Sequence, residues 1–449
     1  MSGPSQPLLP PATPTYILRG HSAAIHALQI FNGNLRLVSG DADGWIVIWD
    51  LIFKRPVAVW KAHQGAVLEV KGFSLDGGRV SEIYTHGRDH KLRVWRFKVQ
   101  DEEILSKTLP VDQPASKPDS DSQRQTQIKP WLVHSLYVNA LNFCAFSMLV
   151  LPPSPPQKIE DGEQATQEQS DTPPTTSLIA VPNALDSGAI DLFHLPSERR
   201  ICTIPTDPSI KTGMVMAAQL IQTPSSKDLR VAAAFEDGHV MVFGCRDVFQ
   251  DPAKPLADAG RYWKWERLYL SRPHSQPVLS LDLVPSGGYF LTSSADAILA
   301  KHAVPESAFD ARETPVKSVN TKHAGQQGLR VRPDGKIFAT AGWDSRVRVY
   351  SCKSLKELAV LKWHKEGCYA VAFANVASST DTATPTESSK TQTQSPATTE
   401  DTPNEQGLTR QNNEYTLAQA HRKRSLKVQN THWLVAGSKD GKISLWDIY

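Results

Sequence analysis

Two aspartates two positions apart, Asp41 and Asp43 in the stretch SGDADGWIVIWD (39–50), have the look of a paired-carboxylate site, in which one group gives a proton and the other stays ionised. Fourteen histidines and five cysteines add further groups that could carry acid–base chemistry or hold a metal. The spacings argue against it. No two of Cys144, Cys202, Cys245, Cys352 and Cys368 form C-x-x-C, so a zinc ribbon or a disulfide framework is not expected and a reducing compartment fits. The chain holds no G-x-S-x-G, H-E-x-x-H, G-x-x-x-x-G-K-[ST] or G-x-G-x-x-G. The expectation is therefore of a protein with no catalytic residues, no metal and no cofactor.

The elements that must position these residues are legible because the stretch recurs. Asp43 stands six positions before Trp49, Asp89 six before Trp95, Asp237 six before Phe243, Asp344 six before Tyr350 and Asp440 six before Trp446. SSADAILAKH keeps Asp296 but ends on His302, and LDSGAIDLF carries Ser187 at the aspartate position. One polar turn followed by an alternating β-branched run describes a tight hairpin between two strands. Seven copies make an internal repeat. Upstream of most hairpins sits a histidine after a turn: His21, His63, His274, His323 and His364, with His134 a looser copy. The step from His21 to His63 is 42 residues and that from His323 to His364 is 41.

Composition bounds the rest. The 449 residues are 40% hydrophobic with a net charge of +3, enough for a large core and too near neutral to argue for nucleic acid or membrane. No apolar run reaches the length of a bilayer span, and the first residues lack the basic start and apolar region of a secretory signal. Four Pro/Ser/Thr/Gln-rich stretches, 1–14, 110–129, 152–177 and 376–413, read as a disordered tail and three disordered insertions. Long insertions cost little closure entropy, about 0.6 kcal/mol per doubling of length, so a repeat fold tolerates them.

These motifs resemble WD-repeat β-propellers. The resemblance implies an all-β fold: one seven-bladed WD40 propeller over 15–449, four antiparallel strands per blade. It also implies a buried network in each regular repeat: His21, Ser39, Asp43 and Trp49 in the first, His63, Thr85, Asp89 and Trp95 in the second, His323, Thr340, Asp344 and Tyr350 in the sixth. Asp440 and Trp446 are its counterparts in the last. A buried imidazole must satisfy both nitrogens, and the turn aspartate is expected to accept from one of them. On this reading Asp43 is a structural acceptor and Asp41 a neighbour with no evident partner. The last repeat has Ala436 at the Ser/Thr place, the fifth has His302 at the aromatic place and the fourth has no clear histidine, so these are expected to be held by packing. The chain ends two residues after Asp447, so the segment TYILRG (15–20) is expected to supply the seventh blade's missing outer strand and fasten the ring.

Three surfaces are candidates for contact. Arg88, Trp343 and Lys439 each precede a turn aspartate, a position that in propellers faces the narrow top surface. AGRYWKWERLYLSRPH (259–274) reads either as an outer strand burying Trp265 and Tyr269 or as an aromatic anchor, with Tyr262 and Trp263, outside the alternation, as the partner candidates. AHRKRSLK (420–427) reads as a nuclear import signal carried by Arg422, Lys423 and Arg424, or as a solvated loop.

Beyond the generic repeat, PTYILRGHSAAIHALQI, THGRDHKLRVW, HSLYVNALNFCAF, NALDSGAIDLFHLPSERR and FEDGHVMVF are similar to the ASTRA-associated protein 1 family, itself related to G-protein β-subunit-like proteins. The resemblance implies a scaffold subunit of the ASTRA complex located in the nucleus, or in nucleus and cytoplasm. It implies roles in chromatin remodelling and in the Tel2-Tti chaperone machinery that matures phosphatidylinositol-3-kinase-related kinases. Its expected partners are protein subunits, with no direct nucleic acid, membrane or small-molecule ligand. Two alternatives stand beside it. A G-protein β-like signalling subunit needs a heptad helix before the first blade, where residues 1–14 are Pro-rich. A substrate receptor of a ubiquitin ligase needs a docking segment there.

Overall fold

The computed structural model describes residues 12–113, 127–139, 143–151, 176–222, 227–249, 263–307, 313–376 and 406–448, with 406–416 by backbone alone. Among these residues, twenty-eight strands make seven four-stranded antiparallel sheets, the blades of a seven-bladed β-propeller. The first blade runs β2 (Ile25–Phe31), β3 (Arg36–Asp41), β4 (Trp45–Asp50), β5 (Arg55–Lys61) from the channel outward. The second, β6 (Val67–Leu75) to β9 (Trp131–Tyr137), and those beginning at β10 (Ser147–Val150), β14 (Val215–Ile221), β18 (Val278–Leu283) and β22 (Gln326–Val331) follow the same order. The seventh is completed from the other end of the chain: β1 (Tyr16–Arg19) pairs with β28 (Lys442–Asp447), Tyr16 opposite Leu445 and Arg19 opposite Lys442, next to β27 (Trp433–Ser438) and β26 (Cys368–Phe373). The segment 15–20 thus closes the ring as expected.

The repeat explains why these strands read as nearly unbroken apolar runs. Successive side chains of a strand point to opposite faces of its sheet, and in a propeller both faces are buried against neighbouring blades. In β4, Val47 and Trp49 pack toward the seventh blade while Ile46 and Ile48 pack toward the second. Among the described residues the core divides into seven apolar clusters, one at each junction of adjacent blades, and the cluster at the closing junction includes Leu18 of β1.

Antiparallel connection sorts the loops by face. Turns between the first and second or the third and fourth strands of a blade lie at one end; turns between the second and third, and the links to the next blade, lie at the other. The undescribed stretches 114–126, 152–175, 223–226, 250–262, 308–312 and 377–405 all interrupt connections of the first kind. The opposite face keeps short loops, with only 140–142 undescribed.

Three expectations for the insertions change. Pro110–Asp112 forms a short 3-10 turn with Pro110 buried, and Val111 N–H donates to Gly20 C=O at 3.0 Å. The strand β11 (Ser177–Pro182) begins inside the range expected to be disordered. A helix, α1 (Gln406–Asn430), spans the end of the fourth stretch and the whole of 420–427, which is therefore not a loop. Its C-terminal turn is seated by buried Val428 and by Asn34, whose Nδ2 donates to Gln429 C=O at 2.8 Å.

Candidate interaction surface

Most of the polar groups that could do chemistry lie inside the blades and bond to one another, though Nδ1 of His364 has no hydrogen-bond partner among the described residues. In the first blade the Nδ1–H of His21 donates to Asp41 Oδ2 at 2.7 Å, and Nε2 lies 2.7 Å from the Ser39 hydroxyl, which also accepts Trp49 Nε1–H at 2.9 Å. The carboxylate is Asp41, not Asp43. Asp41 ends its strand two residues after Ser39, on the same face, and its other oxygen accepts the N–H groups of Asp43 and Trp45 at 3.0 and 2.9 Å. Asp43 is exposed. In the second blade Asp89 holds the expected place, with His63 Nδ1 at 2.8 Å, His63 Nε2 at 2.8 Å from Thr85 Oγ1, and Trp95 Nε1 donating to Thr85 at 3.0 Å. The difference has a steric cause. The residue matching Asp41 is Gly87, where a Cβ would come within 2.3 Å of the His63 ring, so the carboxylate must come from the turn. Burial acts against Asp89, but hydrogen bonds from His63 and Arg93 hold its carboxyl well below the usual carboxylate range.

The fifth, sixth and seventh blades rebuild the network rather than forgo it, while in the fourth, among the described residues, the Asp237 carboxylate bonds only His239 of its own turn and Phe243 offers no polar group. In the fifth, His274 lies 2.9 Å from Thr292 and 3.2 Å from Asp296, and Thr292 continues at 3.1 Å to Nε2 of His302, whose Nδ1 accepts from Tyr269 O–H at 2.8 Å. In the seventh, Ser444 on β28 stands opposite Ala436 and supplies the missing hydroxyl, 2.8 Å from His364 Nε2 and 2.9 Å from Trp446 Nε1; Asp440 turns to Lys442 at 2.8 Å. In the sixth, His323 stays outside. Buried Gln326 takes its place, its Oε1 accepting from Thr340 at 2.7 Å and Tyr350 at 3.5 Å, while Asp344 is held by Arg348 at 2.6 Å. Gln326 can do this because an amide, like an imidazole, both donates and accepts. His134 belongs to the outer strand β9 and pairs with Glu198 at 2.8 Å.

The short-looped face gathers the other candidates. Six innermost strands carry a bulge at their start, and in each the unpaired residue lines the channel mouth: His26, Leu68, Met216, Leu279, Gln327 and Tyr369. Bulges re-aim a side chain that the pleat would otherwise bury in the sheet. His26 stacks on Tyr369 with ring centres 5.3 Å apart. Arg88 is exposed and lies 4.6 Å above the ring of Phe143, which also lines the mouth. Trp343, 49% exposed, donates from Nε1 to Gln327 at 2.7 Å and lies over Gly325, where φ is +72° and a Cβ would meet the indole at 2.2 Å. Exposed Lys439 reaches the same face through its N–H, bonded to Gly367 C=O at 2.9 Å. Arg88, Trp343 and Lys439 therefore share one rim. The collar itself escaped sequence reading, although its signal was present: in four repeats it stands five residues after the histidine (26 after 21, 68 after 63, 279 after 274, 369 after 364).

The remaining candidates sit elsewhere. Trp263 is not a free anchor: half-buried, it packs edge-on against Trp265, ring centres 6.4 Å apart, over the core between the third and fourth blades. Tyr262 lies outside the described residues. Arg422, Lys423 and Arg424 are exposed on α1. A further apolar edge that sequence analysis missed joins Ile104 (62% exposed), Ile128 (53%) and Trp131 (76%) beside β9; exposed apolar patches of this kind mark contact surfaces.

Comparison with known proteins matches this arrangement to one family over nearly its whole length. The family model described as ASTRA-associated protein 1 matches residues 14–446. ASTRA-associated protein 1 of Aspergillus niger is 62% identical over 445 residues, 98% of each chain, and that of Aspergillus flavus 58% over 457, all of each. The Schizosaccharomyces pombe protein of the same name is 32% identical over 80% of this chain and 93% of its own. A match that begins just before the closing strand β1 and ends in β28 takes in every blade of the ring, and the chain belongs to the ASTRA-associated protein 1 family.

Proposed function

We propose that this chain is a non-catalytic scaffold subunit of the ASTRA complex, working in the nucleus in chromatin remodelling. In the same reading it serves the Tel2-Tti chaperone machinery in maturing phosphatidylinositol-3-kinase-related kinases. The observation that carries the reading is the family match over 14–446, with relatives whose names associate them with ASTRA. The chemistry of the blades supports the non-catalytic part. The carboxylates of Asp41, Asp89, Asp296 and Asp344 are each engaged by an imidazole or guanidinium and by backbone N–H groups, and Asp440 by Lys442. A rigid ring with one trimmed face is a platform for protein contacts.

Affinity purification of the tagged full chain from nuclear extract tests the assignment. ASTRA and Tel2-Tti subunits are expected in near-stoichiometric amounts; recovery of a γ-type subunit or a cullin ligase instead overturns it. Localisation has its own test. If Arg422, Lys423 and Arg424 form the import signal, changing all three to Ala moves a fluorescent fusion of the chain from nucleus to cytoplasm. An unchanged nuclear signal removes their role.

A further inference from the structure

The near-neutral net charge of +3 hides an uneven distribution of cations. Helix α1 lies in the connection from β26 to β27, on the long-looped face, and from Tyr415 to Asn430 it holds no acidic residue. Arg422, Lys423, Arg424 and Lys427 are all exposed, and none makes an ion pair among the described residues. Lys54, in the turn between β4 and β5, stands near enough to Lys427 to be repelled. Burial holds the Lys54 ammonium below its ordinary pKa, and Lys427 adds to this against the pull of Asp50. A cluster of cations left uncompensated within the chain is the electrostatic footprint of an anionic partner.

The mounting of the helix narrows what that partner is. Its last turn is fixed: Val428 is buried, Trp433 Nε1–H donates to Val428 C=O at 3.1 Å, and the Thr431 hydroxyl donates to Lys427 C=O at 2.6 Å. His421 rests on Phe53 of the first blade, ring centres 5.6 Å apart. Val428, His421 and the half-buried Ser425 and Gln429 mark the side turned to the ring. At about 100° per residue, Arg422, Lys423, Lys427 and Arg424 fan over about 200° of the side turned away. Residues 417–424 are all exposed, so that side is open to approach. A flat protein surface would meet the middle of the fan and leave its edges in water. The major groove of B-form DNA, about 12 Å wide, admits a helix about 10–12 Å across and carries phosphates along both walls.

We propose that α1 is a binding element for duplex DNA that docks in the major groove. Arg422 and Arg424, at the edges of the fan, meet phosphates of the two walls, and Lys423 and Lys427 enter the groove between them. Phosphate contacts position a protein without reading base sequence, so the binding is governed by salt rather than by sequence. The inference departs from the expectation, drawn from the resemblance, of no direct nucleic acid. It goes beyond the scaffold reading and does not depend on which complex the chain enters.

The test titrates a fluorescein-labelled B-form duplex of mixed sequence, about two helical turns long, with the full-length chain and reads fluorescence anisotropy. Binding is expected at about 50 mM salt and should weaken at least about tenfold by 200 mM, because two neutralised phosphates give a logarithmic slope of about −1.8. Arg422→Ala with Arg424→Ala should raise Kd at least about tenfold at the lower salt and flatten the slope by about 2. Should that pair melt below the parent, each single change to Gln should still flatten the slope by about 1. Lys362→Ala with Lys365→Ala removes two exposed cations from the link between the sixth and seventh blades, on the opposite face, and should leave the curve unchanged. Four outcomes overturn the proposal. They are no binding at the lower salt, equal weakening by the Lys362 and Lys365 pair, and equal affinity for an RNA duplex, whose deep, narrow major groove excludes a helix. The fourth is displacement by polyglutamate as readily as by unlabelled DNA at equal total charge, which marks an acidic protein as the partner. The measurement uses pure components, so neither complex membership nor import enters it.

Discussion

At the scale of single residues, Asp41 and Asp43 give a direct contrast, because they differ in role and not in type. Asp41→Ala leaves the buried Nδ1 of His21 and two N–H groups without an acceptor, each worth about 1–3 kcal/mol when truly buried. The variant should lose about 1–3 kcal/mol in urea unfolding, while Asp43→Ala, at an exposed position, should stay within about 0.5 kcal/mol. Equal losses would mean that the turn, and not the imidazole, needs the carboxylate. His302 yields a pH prediction. Burial, aided by His274, pushes its pKa down to about 3, against about 6.5 in the unfolded chain. The unfolded state then binds the proton first, so the stability is intact above about pH 6.5 and is lost as pH falls toward 3. At pH 5 the loss is about 2 kcal/mol. His302→Phe strands the Tyr269 hydroxyl and starts less stable at pH 7, yet its melting temperature should fall less between pH 7 and pH 5 than that of the parent. Parallel slopes would exclude His302 as a source of the acid sensitivity.

At the scale of elements, β1 carries more than its four residues suggest. Its Leu18 is 2% exposed in the cluster between the first and last blades, and its backbone covers the edge of β28. Leu18→Ala should cost about 2–5 kcal/mol by the usual cost of a buried cavity, read from the urea midpoint, and removal of residues 1–19 should lower the melting temperature further by baring that edge. A melting curve unmoved by the deletion would mean that the ring does not need its fastening. The elements were largely legible in the sequence because hairpin turns and β-branched runs are local signals that repeat. The network was legible only where its members sit at fixed spacing, as with His63, Thr85, Asp89 and Trp95. It was not legible where a partner comes from another strand or another residue type. Ser444 replaces the hydroxyl absent at Ala436 by standing opposite it across the ladder, and Gln326 replaces His323 from three residues further on. Choosing Asp41 over Asp43 required knowing how close the imidazole comes, which spacing does not record. Helix α1 escaped because it shows no apolar stripe; among its described side chains Val428 is buried at the C-terminal turn and His421 packs on Phe53.

At the scale of the whole molecule, the ring is held in two ways that respond differently to mutation. Apolar clusters join each blade to the next, so their energies act between neighbours, as in other repeat architectures. Glu69 and Arg330 join blades that are not neighbours, across the channel, with a carboxylate that is buried and a guanidinium that is half-buried. Such a pair need not stabilise relative to apolar groups, because desolvation opposes the attraction; breaking it from one side is what costs. Glu69→Leu leaves Arg330 with Asp282 as its nearby carboxylate, and Arg330→Leu leaves buried Glu69 and half-buried Asp282 without that cation. Each single variant should therefore lose about 3–5 kcal/mol, with the arginine variant the worse, while the double variant loses less than the sum by at least about 1 kcal/mol. Urea unfolding of the four proteins measures the cycle, and repeating it at 0.1 and 1 M salt adds a second criterion: a buried pair keeps its coupling where a surface pair would be screened. Additive losses, or a coupling that vanishes in salt, would mean that the channel is wet enough to hold these charges apart and that the blades are joined only through their neighbours.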